Sequence, residues 1–307
     1  WLPEGMLPRL VAEFPQIEFV DAREPAVCTQ HLPDATVTYG LPPIDRPAQA
    51  SRLAWIQLIS AGVPQDLCPV AARCNIKVTN LAGLYGPSIA EHALGLMIML
   101  ARNLHRAVRN QEQKRWDREI ARTMSDLHER TAAIVGLGNI GRNVARLARA
   151  YGMRVLGCRR TERPVPLVDR VYRCHETHAM LAEADYVVVT APLTANTEGM
   201  LGPAEFQAMK RGVVYVNVSR GGIAQEQALL EALRSGQVAA AGMDVFAVEP
   251  LSAEHLFWTM PQVVITPHYS GETVNQSPLP AERFARNLHS WLAGRDMEGV
   301  VDLQWGY

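Results

Sequence analysis

Lysine is nearly absent from this chain. Lys77, Lys114 and Lys210 stand among 30 basic residues, and arginine supplies the rest, so a single Arg carries less functional information here than usual. The basic residues are matched by 31 acidic ones, leaving a formal net charge of −1. No arm or tail concentrates the positive charge, which argues against a nucleic-acid groove. Cysteine is scarce and scattered: Cys28, Cys68, Cys74, Cys158 and Cys174 form no C-x-x-C pair and hold no zinc-ligand spacing with His. That excludes a disulfide framework, argues against a metal site and points to reduced thiols in a cytoplasmic protein. The longest apolar run, Ala93–Ala101, is too short to span a bilayer, and no signal peptide opens the chain. The first residue is Trp1 rather than Met, so a start further upstream is expected.

What is present is enough apolar material for two cores, 48% of 307 residues. The first hundred residues alternate helix-like and strand-like stretches. Gly5–Phe14 reads as helical, and Ile17–Val20, Trp55–Ile59 and Ile76–Thr79 read as extended, the pattern of a parallel sheet flanked by helices. Ser88 and Glu91 form an S-x-x-E capping box, and Ala90–Arg106 continues as a helix apolar on more than one face. A longer series follows, with buried strands predicted at Ala132–Val135, Arg154–Leu156, Tyr186–Thr190, Val213–Val218, Ala239–Val245 and Val263–Thr266. Helical segments between them predict a doubly wound sheet, and Ala281–Gly294 reads as a closing amphipathic helix.

Gly136-Leu137-Gly138-Asn139-Ile140-Gly141 matches G-x-G-x-x-G. Alone the pattern is weak, but here a strand precedes it, an amphipathic helix follows and a second strand comes next. In that setting Gly136 makes the tight turn, Gly138 admits a pyrophosphate close to the backbone, and Gly141 lets helix pack on strand. The helix start then offers free N–H groups to phosphates. An acid at the end of the second strand would accept from a ribose 2′-hydroxyl and select NAD; this chain has Arg159-Arg160-Thr161, with no acid until Glu162. Arginine pairs bidentately with phosphate and threonine offers a hydroxyl, so the reading favours NADP, with NAD the alternative.

Three further motifs end predicted strands: Asn217-Val218-Ser219-Arg220-Gly221-Gly222, Gly242-Met243-Asp244-Val245-Phe246-Ala247-Val248-Glu249-Pro250 and Thr266-Pro267-His268. Ligands of such sheets bind at the carboxyl ends of strands, where Arg220, Glu249 and His268 could converge. With the glycine loop, and with Ile56–Gly62, Val78–His92 and Ala191–Thr197, these segments resemble the D-isomer-specific 2-hydroxyacid dehydrogenase family, in particular its glyoxylate/hydroxypyruvate reductase-like members, over nearly the whole chain.

The resemblance implies an oxidoreductase that moves a hydride between NADP(H) and a small 2-oxo or D-2-hydroxy acid. His268 would be the acid/base, Glu249 would orient its imidazole, and Arg220 would anchor carboxylate and carbonyl oxygen. Backbone N–H groups of Ala61 and Gly62 would give a second carboxylate anchor, and Leu84 and Tyr85 would wall the substrate side chain, replacing the smaller polar residues more usual there. Asp244 would meet the nicotinamide carboxamide, with Pro192, Thr197 and Ser219 lining the cofactor cleft. His92 matches a helix residue of the family and reads as structural. The expected fold is two doubly wound α/β domains: a Rossmann cofactor domain over 103–269 and a flavodoxin-like substrate domain over 1–102 with 270–307. A hinged cleft between them and a homodimer are also implied. A dinucleotide-sensing corepressor of the same fold, or a catalytically inactive scaffold, are the competing readings.

Overall fold

The computed structural model describes residues 2, 5–43, 50–64, 66–161, 163–274 and 278–307. Two compact units result, Trp1–Tyr85 with Thr273–Tyr307, and Gly86–Glu272. In the smaller unit, α1 (Met6–Glu13) and α2 (Pro25–His31) precede β1 (Val37–Tyr39), followed by β2 (Trp55–Gln57), α3 (Leu67–Cys74) and β3 (Lys77–Thr79). The strands pair in parallel in the order β1-β2-β3. Neighbouring residues of a strand face opposite sides, and the two cores show it. Trp55 packs with Leu10, Phe14 and Phe284, whereas Ile56 packs with Leu67, Ala71 and Val78. Ile17–Val20, predicted as extended, joins no sheet. Ile17 and Phe19 pack instead on the Leu10–Phe14–Phe284 cluster, so burial rather than a ladder explains their apolar character.

The larger unit opens with α4 (Gly86–Ala101) and α5 (Leu104–Glu112). The predicted helix therefore starts earlier and ends sooner than its pattern suggested. Ser88 lies inside the first turn rather than capping it, and Asn103, in the left-handed region at φ 52°, turns the chain between the two helices. The sequence reading gave residues up to 102 to the first domain. In the structure α4 belongs to the larger unit, because Ile89, Ala93, Leu96, Met97 and Leu100 are all buried and its partners are the helix after the glycine loop and two strands of the large sheet.

The sheet of this unit comprises β4 (Thr131–Val135), β5 (Arg154–Arg159), β6 (Arg170–Arg173), β7 (Tyr186–Val189), β8 (Val213–Asn217), β9 (Val238–Met243) and β10 (Val263–Ile265). Helices α6 (Asn139–Ala150), α7 (Thr177–Leu181), α8 (Pro203–Ala208) and α9 (Glu226–Ser235) lie among them in sequence, and α10 (Leu279–Leu292) returns to the smaller unit. All seven strands are parallel, in the order β6-β5-β4-β7-β8-β9-β10. Strands covered on both faces read as continuous apolar runs, as Thr131–Val135 and Tyr186–Val189 do; both are buried throughout. The expected α/β class with parallel sheets is what the chain forms. The seventh strand, β6, was not predicted because it is an edge: of Arg-Val-Tyr-Arg only Tyr172 is buried, so there is no apolar run to read.

All five cysteines are free thiols, and burial pushes that of Cys158 up to about 11. Among the described residues no group of three His, Cys, Asp or Glu side chains could hold a metal ion, and no helix is long and apolar enough to cross a membrane.

Candidate active site

Strand order reverses at β4, whose neighbours are β5 on one side and β7 on the other. The crevice outside the carboxyl ends at such a point is where ligands of open α/β sheets bind. The glycine loop leaves β4 there. Gly136 sits at φ 104°, and a Cβ on it would come within 2.6 Å of the Ala191 nitrogen. A Cβ on Gly141 would lie 2.0 Å from the Gly136 carbonyl oxygen, so the helix packs directly on the turn. A Cβ on Gly138, by contrast, would meet nothing within 4 Å. The loop thus has two tightly packed corners and one open face, over which α6 begins at Asn139 with first-turn N–H groups lacking helical partners. This cradle fits a dinucleotide pyrophosphate. Thr190 fixes it from below by donating its hydroxyl to the Gly136 carbonyl at 2.6 Å, a contact no sequence motif announced.

Strand β5 runs three residues beyond its predicted end, so Arg159 is its last residue, in register with Arg173 of β6. Register partners in a parallel ladder point to the same face, which brings two guanidinium-bearing side chains to one side of the strand ends. Arg159 is half-buried, while Arg160 and Thr161 are exposed; Glu162 lies outside the described residues.

The three strand-end motifs follow β8, β9 and β10, which are adjacent in the sheet. His268 Nδ1 lies 2.6 Å from Glu249 Oε2, and the other Glu249 oxygen accepts from the Phe246 N–H at 2.8 Å. With Nδ1–H donating to a carboxylate, Nε2 of the ring is left without a partner among the described residues. The pair is reached by solvent, the side chains being 43% and 34% exposed. Arg220 is largely buried. Burial lowers its pKa while the nearby Glu249 works in the opposite sense. One guanidinium nitrogen donates to the Ser219 carbonyl at 2.7 Å, and the remaining donors make no hydrogen bond among the described residues. The chain is turned at Arg220 by Asn217, whose side chain donates to the Arg220 carbonyl and accepts from Ser219.

Other residues singled out from the sequence have their polar groups engaged internally. Ser219 is buried with its hydroxyl on Asn217, and the Thr197 hydroxyl donates to the Pro192 carbonyl at 2.6 Å while accepting from the Thr194 N–H. Asp244 is fully buried. Its oxygens accept from the Thr266 hydroxyl at 2.6 Å and from the N–H groups of Tyr269 and Ser270 at 3.2 and 3.0 Å. The role that the resemblance implies for it, a contact to a nicotinamide carboxamide, is not visible in those bonds.

In the smaller unit, the loops after β2 and β3 carry Ala61, Gly62, Leu84 and Tyr85. The Ala61 carbonyl accepts from the Asn80 side chain at 2.9 Å and the Gly62 carbonyl from the Ser60 hydroxyl at 2.8 Å. Both carbonyls are thereby held, whereas the N–H groups of Ala61 and Gly62 make no hydrogen bond among the described residues. Two adjacent free N–H groups suit an anion. Leu84 and Tyr85 are half-buried.

Residues 94–270 match the family described as D-isomer specific 2-hydroxyacid dehydrogenase, NAD binding domain. This chain belongs to that family. It is similar to the D-3-phosphoglycerate dehydrogenase of Archaeoglobus fulgidus, at 36% identity over 83% of this chain and 48% of that one, so it spans about half the length of that relative. The hydroxypyruvate reductase of Thermotoga maritima is also 36% identical, over 69% of this chain and 70% of that one. Among solved structures, the NADPH-dependent glyoxylate/hydroxypyruvate reductase of Sinorhizobium meliloti, in complex with NADP and sulfate, matches with a TM-score of 0.86 at 25% identity, covering 100% of this chain and 97% of that one. The family and these neighbours support an NAD(P)-linked 2-hydroxyacid dehydrogenase.

Proposed function

We propose that this chain reduces a small 2-oxo acid to the D-2-hydroxy acid, with NADPH preferred over NADH. The observation that carries the reading is the 2.6 Å pairing of His268 Nδ1 with Glu249, which leaves Nε2 free at a solvent-reached strand end. The glycine loop and the amides of Asn139, Ile140 and Gly141 would hold the pyrophosphate, with Pro192, Thr197 and Ser219 in the segments beside them. When bound, the dinucleotide supplies the hydride.

The protein's own work is binding and proton transfer. Arg220 has free guanidinium donors for the substrate carboxylate and carbonyl oxygen, and polarises the latter. Its low exposure strengthens that interaction relative to water. His268 Nε2 delivers the proton to the carbonyl oxygen, and Glu249 holds the ring and offsets the positive charge when the imidazole is protonated. In the smaller unit, the free N–H groups of Ala61 and Gly62 suit a carboxylate, and the family resemblance would make Leu84 and Tyr85 the border of the substrate side chain.

NADPH preference rests on Arg159 and Arg173 sharing a face at the strand ends, and on the absence of an acid in Arg159-Arg160-Thr161 at the end of β5. Arg160 and Thr161 complete the phosphate-binding set. One charge-assisted contact contributes roughly 1.5–3 kcal/mol, hence about 10- to 150-fold in kcat/KM. The test is oxidation of NADPH and NADH by a panel of 2-oxo acids headed by glyoxylate and hydroxypyruvate, at low ionic strength. Turnover with NADPH favoured supports the reading, and Arg159→Asp should reverse the preference. A parent that favours NADH would overturn the cofactor assignment, and dinucleotide binding without any turnover would overturn the enzymatic one.

A further inference from the structure

His268 occupies the left-handed region at φ 52°, a conformation that costs a non-glycine residue of order a kilocalorie or more unless its surroundings hold it. The surroundings that hold it are Asp244 and Thr266, the latter's carbonyl accepting from the His268 N–H at 3.1 Å. The backbone carbonyl of Asp244 accepts from the His268 N–H at 2.8 Å, and its carboxyl group accepts from the next two amides, Tyr269 and Ser270. Three successive N–H groups thus bond to Asp244, the first to its backbone carbonyl and the next two to its carboxylate.

The Asp244 carboxyl group is itself held. Thr266 donates its hydroxyl proton to Oδ1 at 2.6 Å, so its oxygen is free only to accept. The partner is His92 Nε2 on α4, at 3.0 Å, which must therefore carry its proton on Nε2. The same imidazole meets the ring of Tyr269 edge-on, with centroids 5.5 Å apart. His92 accordingly touches the residues on both sides of the Pro267-His268 dipeptide.

We infer that His92 is a positioning residue for His268, acting through a buried relay of Thr266 and Asp244 that holds the 266–270 turn. The relay bonds the helix to the strand end that carries the proton donor, so it sets the backbone position from which the ring reaches Glu249. Neither the glycine loop nor Arg220 takes part, so losing the relay should disturb proton delivery and leave dinucleotide binding intact. This inference rests on the role proposed for His268.

The experiment compares the parent enzyme with Thr266→Val, which keeps shape and removes the hydroxyl, with Thr266→Ser, which restores it, and with His92→Phe, which keeps the ring contact. Three quantities are read: kcat with NADPH and the best 2-oxo acid, the Kd for NADPH, and the low-field proton resonance of His268 Nδ1–H bonded to Glu249. In Thr266→Val and His92→Phe, kcat should fall about tenfold, the worth of a lost buried hydrogen bond. The resonance should weaken while the Kd stays within about twofold, and Thr266→Ser should recover both kcat and resonance. A folded Thr266→Val with unchanged kcat and resonance, or a Thr266→Ser no better than Thr266→Val, would overturn the inference. Should His92→Phe not fold, the Thr266 pair decides. Should the parent show no turnover, the proposed activity fails, and the resonance alone still decides whether the relay holds the ring.

Discussion

His268 and His92 both lie beside an acidic side chain in the larger unit, His268 with Glu249 at 2.6 Å and His92 with Asp244 at 3.8 Å, the Thr266 hydroxyl bridging the latter. The first pair is reached by solvent, the second is almost wholly enclosed, with side-chain exposures of 18% and 0%. Exposure leaves His268 Nε2 open to a substrate. Enclosure gives His92 a fixed partner and, through burial, lowers its pKa, with Asp244 working in the opposite sense. A proton donor needs one nitrogen held and one nitrogen open, whereas a brace needs to be neutral and bonded to a fixed partner. In the proposed function His268 meets the first requirement, and His92, bonded through Nε2 to Thr266, serves the second.

Replacing each histidine tests that division most directly. His268→Ala should lower kcat for 2-oxo acid reduction by about 10²-fold or more, the usual scale of general acid catalysis, with NADPH affinity barely changed. Near-normal steady-state turnover in the variant would remove His268 from the chemistry and collapse the contrast. Next in size is the partner. Glu249→Gln retains an acceptor for the ring but loses the charge, and a neutral hydrogen bond has about half the strength of a charge-assisted one, so kcat should drop about tenfold. If kcat is unaffected, the exposed pair is no more than a surface contact.

Arg220→Lys keeps the charge and loses the planar fork. The KM for the 2-oxo acid should rise about tenfold, the lower end of what one lost charge-assisted hydrogen bond is worth, and more than the Kd for NADPH rises. Equal worsening of both, measured by steady-state kinetics and fluorescence titration, would assign Arg220 to the cofactor or the fold. The smallest effect belongs to the enclosed histidine. The folded state binds the His92 proton more weakly than the unfolded chain does, so its neutral form contributes stability that is fully present above about pH 6.5 and is lost as pH falls towards the lowered folded value. Between pH 7.5 and 5 the Tm of the parent should therefore fall further than that of His92→Phe. His105, also shifted down by burial, is common to both proteins and cancels in the difference. Parallel Tm curves would show that the enclosed site bears no titrating brace.

Much of this was legible in the chain because it is encoded locally. The buried strands of the large sheet announce themselves as apolar runs, and the glycine loop announces itself by its place between strand and helix. The edge strands Val37–Tyr39 and Arg170–Arg173 were missed because a ladder exposed on one side needs no apolar pattern. The boundary between the units was displaced for a related reason. An α4 that is apolar all round says that it is buried, not against which unit, and the packing of Leu96 close to Gly242 of β9 is a fact of distance in space.

The sequence by itself determined the α/β class and the glycine loop between strand and helix, because each depends on residue type and spacing within a few positions, and the family resemblance singled out Arg220, Glu249 and His268 at the strand ends. Tertiary structure alone decided which groups are held and which are open. It put the Asp244 carboxyl group inside the 266–270 turn, brought His92 across from a helix more than 170 positions away in the chain, and set Arg159 beside Arg173. Hydrogen bonds and like-charge neighbours of that kind are properties of register and packing, and they exist only once distant segments have been brought within about 3 to 5 Å of one another.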